Sequence, residues 1–451
     1  MKKLYKLLKI SNQIMYLYDA FENRFIEIDN KIYNTIEYKK KNDLYYNFIR
    51  ENNLRDIYKE EQLIISSPLE ENTLYWKINN RQKALVISLT EDCNMRCEYC
   101  GYKTKYSNSY DRKTISKDIL RKAISNFLTH SISSDESSIA FYGGEPLLKF
   151  DLIKESVNFV KQNHFGQKIM YLIITNGLLL NDPDIVDFLI NNNFYLIISL
   201  DGPQEIHDRY RVDISGNTTY QKVKQAIKSI QEKSPTYFEN RVSFNAVIAP
   251  PFSGKVSVFF KNQNTNFLDL EVTKYFREKY LNNTKDNEII PTYTKEIVEQ
   301  HPITDIVYQL RRLKKYHNLL NDQSHIVSRP CGYCSPYEKR IFVTTSGKLV
   351  VCEKVDENDP LLNIGTVDNW IDYHKLNCLF EHIKEVSQKN CANCWAVRLC
   401  PTCYINYTKV QYDGSYCTQK RKEIEQEFKD YLEIVHENPN FLALYNNFSI
   451  D

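Results

Sequence analysis

Three cysteines, Cys93, Cys97 and Cys100, stand in a C-x3-C-x2-C run, Cys93-Asn94-Met95-Arg96-Cys97-Glu98-Tyr99-Cys100. Thiols at that spacing on one loop can all turn to a single inorganic centre. Three ligands leave a four-iron cluster with one open iron, a position a substrate can occupy. A structural metal site would normally be closed by a fourth protein ligand. Read alone, the run also fits a zinc knuckle. Eight further cysteines come late in the chain: Cys331-x2-Cys334, Cys352, then Cys391-x2-Cys394-x5-Cys400-x2-Cys403, and lastly Cys417. Eight thiols make two four-thiolate sites, either fully coordinated iron–sulfur clusters without an open iron or two zinc ribbons. Cys378 fits neither set and reads as a buried thiol on the amphipathic stretch Leu376 to Ile383.

These residues need elements to hold them. The first cysteine run follows Ala84 to Thr90, a stretch of strand character. Further strands are predicted at Ser138–Tyr142, Ile169–Thr175, Tyr195–Leu200, Val242–Ile248 and Phe267–Val272, and helical periodicity lies between them at 115–128, 150–162 and 185–192. Six βα units imply a parallel sheet with helices outside, curled by right-handed crossovers into a partial barrel. Its functional loops sit at the C-terminal ends of the strands, where the cysteine run leaves the first one. Polar motifs stand at the later strand ends. They are Gly143-Gly144-Glu145-Pro146, Thr175-Asn176-Gly177, Ser199-Leu200-Asp201-Gly202-Pro203 and the run Ile206-His207-Asp208-Arg209-Tyr210-Arg211. Singly, each also fits a turn or a cap.

Together, the cysteine run, the following aromatic-cysteine pair and the Gly-Gly-Glu-Pro motif resemble the signature of radical S-adenosylmethionine (SAM) enzymes. The resemblance implies a 4Fe–4S cluster on Cys93, Cys97 and Cys100, with Tyr99 as the usual aromatic before the last cysteine. It gives Gly143, Gly144 and Glu145 the methionyl amine of SAM, and Asn176 and Ser199 the ribose or methionine part, with Asp201 close by. Arg211, rather than Arg209, is assigned to the SAM carboxylate, a charge-assisted contact that suits arginine. His207 reads as structural.

The late cysteines, with Gly347-x4-Cys352, resemble the SPASM extension of radical SAM maturases, although the run ends C-x2-C where C-x3-C is common. The resemblance implies two auxiliary 4Fe–4S clusters with crossed connectivity. Cys331, Cys334, Cys352 and Cys403 would hold the first, and Cys391, Cys394, Cys400 and Cys417 the second. A hairpin is predicted at 340–344 and 348–351, turning at Ser346-Gly347. Glu353, directly after Cys352, takes the place of the carboxylate that accepts a substrate proton in sulfatase maturases.

At the other end, strands at 13–18 and 24–28 read as a hairpin, followed by helices at 32–40 and 43–51 and a third strand at 73–78. This resembles the winged-helix modules that take up a leader peptide as an added strand, and fits equally an extension packed on the barrel. The expected fold class is therefore α/β: a partial (β/α)6 TIM-like radical SAM barrel with a small N-terminal α+β module and a C-terminal cysteine-rich SPASM domain. The expected division is 1–80 for leader recognition, 81–300 for the radical SAM core, 301–330 as a bridge with a helix at 304–321, and 331–451 for the SPASM region with its C-terminal helix.

The 451 residues carry a formal net charge of +2, which argues against a protein that grips nucleic acid through a basic surface. No apolar run is long enough for a bilayer and no signal sequence is evident, so a cytoplasmic, reducing setting is expected, in which twelve cysteines point to metal binding rather than to disulfides. The combined expectation is a radical SAM enzyme that cleaves SAM reductively to a 5′-deoxyadenosyl radical, using three 4Fe–4S clusters and an electron donor such as flavodoxin or ferredoxin. Its expected substrate is a ribosomally made precursor peptide with a leader, which gains a thioether or carbon–carbon cross-link. Two alternatives stand beside it: formylglycine formation on a protein Cys or Ser, and a non-catalytic iron–sulfur or zinc scaffold that binds a peptide.

Overall fold

The structure, a computed structural model, describes residues 4–20, 23–40, 64–66, 71–100, 113–134, 136–163, 168–247, 259, 267–271, 326–328, 340–400, 402–403, 405 and 415–437. The helices expected at 43–51 and 304–321, and the thiols Cys331 and Cys334, lie outside them. Packing divides the chain into two units. One comprises Met1–Glu70, Tyr293–Ser335 and Leu379–Asp451, and the other Glu71–Thr292 and Pro336–Cys378.

The chain opens with an antiparallel sheet of β1 (Tyr5–Lys9), β2 (Met15–Asp19) and β3 (Arg24–Ile28), in that order. The hairpin was legible; β1 was not expected. Then come α1 (Asn30–Lys40) and β4 (Ile64–Ser66). Alternation along the strands splits the sheet's side chains between two faces. Leu7, Met15 and Leu17 pack with Ile36 of α1, while Tyr18 and Phe25 belong to a second aromatic core described below.

The second unit begins at α2 (Glu71–Asn80), where a strand was expected. Tyr75 and Asn79, four residues apart, meet Tyr373 and Asn377, also four apart: Tyr75 Oη donates to Asn377 Oδ1 at 2.8 Å and Tyr373 Oη to Asn79 Oδ1 at 2.6 Å. That match of helical faces overrides the alternating pattern, and Trp76, which a strand would bury with Ile78, is 51% exposed.

The strands β5 (Ala84–Thr90), β6 (Ser137–Gly143), β7 (Ile169–Thr175), β8 (Tyr195–Ser199), β9 (Val242–Val247) and β10 (Phe267–Glu271) lie side by side in chain order, every neighbouring pair parallel. β5 is apolar almost throughout and buried from Leu85 to Thr90, as a strand covered on both faces must be. The crossovers carry α3 (Lys117–Thr129), α4 (Phe150–Asn163), α5 (Pro183–Asn191), α6 (Gln204–Tyr210), α7 (Tyr220–Lys233) and α8 (Pro235–Arg241). In α3, Leu120, Ala123, Ile124, Phe127 and Leu128 form one buried stripe, and Ser116 caps its start by accepting from the Ile119 amide.

The hairpin after the bridge, β12 (Ile341–Val343) and β13 (Lys348–Val350), extends this same sheet. β12 pairs parallel with β5, and β14 (Asn363–Thr366) and β15 (Trp370–Ile371) continue beyond β13. Before that hairpin, β11 (Ile326–Ser328) pairs parallel with β4 in the first unit.

α9 (Tyr373–Cys391) and α10 (Ser415–Glu437) complete the description. Leu376, Leu379 and Ile383 of α9 are buried, but Cys378 faces away from that stripe and is exposed, contrary to its expected burial; its Sγ lies 3.9 Å from His374 Nε2. In the first unit, Phe428 of α10 packs its ring on Tyr18 (centroids 4.7 Å apart), Phe25 (4.9 Å) and Trp395 (5.9 Å). Lys6 pairs with Glu425 at 2.5 Å, and Arg398 Nε donates to Ala20 O at 2.8 Å. The N-terminal sheet thus shares its second core with the C-terminal helix. No described helix is long and apolar enough to cross a membrane.

Candidate active site

The three-cysteine loop leaves β5 at Thr90 and is fastened at its root by the end of β6. Gly144 N donates to Thr90 O (2.7 Å) and Glu145 N to Asp92 O (2.9 Å). The two glycines make this approach possible: a Cβ on Gly143 would lie 2.3 Å from Thr90 O, and one on Gly144 only 2.1 Å from Asp92 O. Their first task is to let two backbones touch. Beyond the root, the residues 210–214 run alongside the loop, with Arg96 N donating to Val212 O, Glu98 N to Tyr210 O and Ile214 N to Asn94 O. Arg96 Nη1 closes the loop on itself by donating to Cys93 O at 2.6 Å and Met95 O at 2.8 Å.

Two buried carboxylates organise the strand ends. Glu145 is fully buried and accepts from Leu147 N (3.0 Å), Thr175 Oγ1 (2.7 Å) and Asn176 N (2.8 Å), so it locks β6 to the end of β7. Burial pushes its carboxyl up to about 7 against the pull of those donors. Asp201 accepts from the Tyr99 hydroxyl and from Arg211 Nε (2.8 Å) on one oxygen, and from Val247 N (2.9 Å) on the other. One carboxylate thereby ties the cysteine loop, the end of α6 and the end of β9. Arg211 also lies over the Tyr99 ring, 5.3 Å from its centroid, whereas Arg209 lies by Tyr210. His207 is buried between Asp201 N and Thr219 Oγ1, and burial lowers its imidazole to about 4, which fits its structural reading.

The structure brings together most of the expected site residues. Asn176 Nδ2 donates to Asn94 Oδ1 at 2.7 Å and reaches Cys93 Sγ at 3.7 Å. Ser199 is half-buried at the end of β8. Glu145 and Asp201 spend their oxygens on protein donors, which makes them holders of the loop more than open ligand contacts. Reasoning from sequence missed Glu91, buried and accepting from Thr345 Oγ1 (2.8 Å) at the β12–β13 turn, because a bond spanning 254 residues leaves no local pattern.

The thiols suit an inorganic centre. Burial first, then the neighbouring carboxylate and thiols, pushes Cys93 up to about 12; burial also pushes Cys97 up to about 11, with Arg211 opposing. A metal's positive charge would offset that burial and hold such sulfurs as thiolates. Met95 N already donates to Cys93 Sγ at 3.4 Å. Among the described residues no three His, Cys, Asp or Glu side chains close around a single ion; each thiolate of a cluster instead takes a different iron.

Cys352 and Glu353 lie elsewhere. β13 runs back antiparallel, so Cys352, two residues past Val350, is toward the start of β5, while the cysteine loop leaves its end. The Glu353 carboxylate stands 3.4 Å from Arg340 Nη1 and is not brought to the three thiols. In the other unit, Cys391, Cys394, Cys400 and Cys417 line one cavity together with Lys420 and Arg421. Cys394 N donates to Cys391 O (2.9 Å) and Cys400 N to Val397 O (3.4 Å), tight turns that aim the run inward. Cys403 is not among the residues lining that cavity.

Comparison with known proteins agrees with this geometry. The family model of the radical SAM superfamily matches residues 87–251. A radical SAM cyclopropyl synthase, TigE, of Paramaledivibacter caminithermalis is 24% identical over 440 residues, 89% of this chain and 88% of that protein. A cysteine-type anaerobic sulfatase-maturating enzyme of Clostridium novyi is 32% identical over 189 residues, 41% of this chain and 49% of that enzyme. The chain thus spans nearly all of the first relative and about half of the second. The solved structure of native anSMEcpe with bound AdoMet and Kp18Cys peptide superposes over 81% of this chain and 100% of that one, with a TM-score of 0.55 and 20% identity, a likeness of fold. The chain is a radical SAM enzyme, related to the anaerobic sulfatase-maturating enzymes and to a radical SAM cyclopropyl synthase.

Proposed function

We propose that this enzyme matures a ribosomally synthesised peptide by oxidative bond formation, a carbon–carbon or thioether cross-link, within a partial barrel made by β5 to β10. The observation that carries the reading is the pairing of a three-thiol loop, short of one ligand, with a separate cavity walled by four thiols. Cys93, Cys97 and Cys100 would hold the SAM-binding cluster, and Cys391, Cys394, Cys400 and Cys417 an auxiliary one; Cys331, Cys334, Cys352 and Cys403 remain the proposed ligands of the other. Bound there, cluster and SAM supply a one-electron cleavage that yields a carbon radical able to take hydrogen from an unactivated carbon.

The chain's own residues do the rest. The two glycines and Glu145 fix the root of the loop, Asn176 sets Asn94 beside Cys93, and Asp201 holds Tyr99 and Arg211 in one register. Arg211 is the cation proposed to meet the SAM carboxylate. Glu353, held by Arg340 toward the start of β5, is proposed as proton acceptor on the resemblance to sulfatase maturases alone. The long match to a cyclopropyl synthase supports carbon–carbon bond formation. A leader peptide would add as a strand to β3, one of the two outer strands of the N-terminal sheet, whose Arg24 and Glu27 are exposed.

The test is anaerobic incubation of reconstituted protein with SAM, dithionite and a candidate peptide from a neighbouring small reading frame. A peptide lighter by two hydrogens, with 5′-deoxyadenosine, is the expected result. 5′-Deoxyadenosine beside an unchanged peptide makes the substrate assignment wrong. Formylglycine on a sulfatase-derived peptide favours the second reading, which the relatedness to sulfatase maturases supports. The same assay examines Glu353: full turnover by Glu353→Gln removes it from the site.

A further inference from the structure

The four-cysteine cavity has a lopsided charge. Cys417 sits in the first turn of α10, a helix of 23 residues, where the backbone amides and the helix dipole present positive charge. One turn on, Lys420 and Arg421 line the same cavity. They are not equivalent. Lys420 Nζ lies 2.5 Å from Glu423 Oε2, so a carboxylate meets much of its charge. Arg421 has no such carboxylate among the described residues. Its Nη2 donates to Thr418 Oγ1 at 3.1 Å, which steadies the fork, and the side chain lines the cavity together with Cys394 and Cys417.

We propose that Arg421 is a positioning residue that sets the reduction potential of the four-cysteine site and keeps it high enough to receive an electron. The inference rests on the reading that these cysteines hold an iron–sulfur cluster. Four thiolates give such a cluster a net negative charge that grows by one on reduction. A cation at its edge favours the more negative form. The three-thiol loop offers the contrast: Arg211 has its charge met by Asp201 at 2.8 Å. An oxidative cross-linking reaction ends with one surplus electron on the substrate, and a site poised upward is suited to accept it.

The test is a potentiometric titration followed by electron paramagnetic resonance, with iron per chain measured alongside. The full chain carries Cys93→Ala, Cys97→Ala and Cys100→Ala to remove the first cluster's signal, and the signal of interest is the one that Cys417→Ser abolishes. Arg421→Gln is expected to keep its iron and shift the midpoint to more negative potential, with Arg421→Lys falling between it and the parent. An unchanged midpoint in Arg421→Gln with full iron overturns the proposal. Loss of iron in both variants also overturns it, because Arg421 then holds the site together and does not tune it. If the parent binds zinc there and gives no such signal, the cluster reading itself fails, a result distinct from either.

Discussion

The two cysteine sites are built on opposite plans. Cys93, Cys97 and Cys100 hang from the end of a parallel strand and are held by a polar network, with the buried carboxylates of Glu145 and Asp201 at its nodes. Cys391, Cys394, Cys400 and Cys417 sit between the end of α9 and the start of α10, held by tight turns and by the aromatic packing around Trp395 and Phe428. A hydrogen-bonded frame specifies direction. A packed aromatic frame encloses its contents. The difference suits the division of labour proposed above, SAM binding at the first site and electron transfer at the second.

The sharpest way to break the comparison is to remove one thiol from each. Cys93→Ala is expected to bring 5′-deoxyadenosine production down to background. Cys400→Ala is expected to keep producing it while the peptide stays unmodified. If Cys400→Ala also ends production, the two sites do not have separate tasks. Next in size is Phe428→Ala, which should cost about 3–5 kcal/mol by emptying a fully buried aromatic position. Hydrogen exchange should rise over 15–28 and 417–431, with less iron bound, and SAM should bind as before. Weakened SAM binding would show that the frames are not independent.

The smallest effect concerns pH. The Glu145 carboxyl, raised from 4.5 to about 7, keeps a proton in the folded state that the unfolded chain has already given up. This group's contribution to stability should therefore be fully present below pH 4.5 and be lost as pH rises through 7, roughly 3 kcal/mol in all. Glu145→Gln should flatten that slope in denaturation measured at pH 5 and pH 8. An equal slope in both proteins would mean that the three donors outweigh burial.

Much of the site was legible because its residues sit at strand ends. The strands at 84–90 and 169–175 have the expected bounds, and the motifs fall where β5 to β8 stop. What local pattern could not supply is what each residue touches. Gly143 and Gly144 read as room for a ligand and proved to be room for the backbone of residues 90–92. Asp201 read as a neighbour of SAM and is a hub for three protein donors. The stretch 73–78 alternates like a strand and is helical because α9 offers it a matching face. The hairpin after the bridge was foreseen, but not its pairing with β5, since register across that distance leaves no local trace.

The shared core of the N-terminal sheet and α10 has a consequence for biosynthesis. Ala20 and Arg398, which bond directly, are 378 residues apart. At a synthesis rate of about 5–20 residues per second, the sheet waits roughly 20–80 s for the far end of its core. During that interval Tyr18 and Phe25 lack the ring of Phe428, and a three-stranded sheet with one uncovered aromatic face is a natural client for a chaperone. A segment made 378 residues before its bonding partner is thus among the last to reach its final packing.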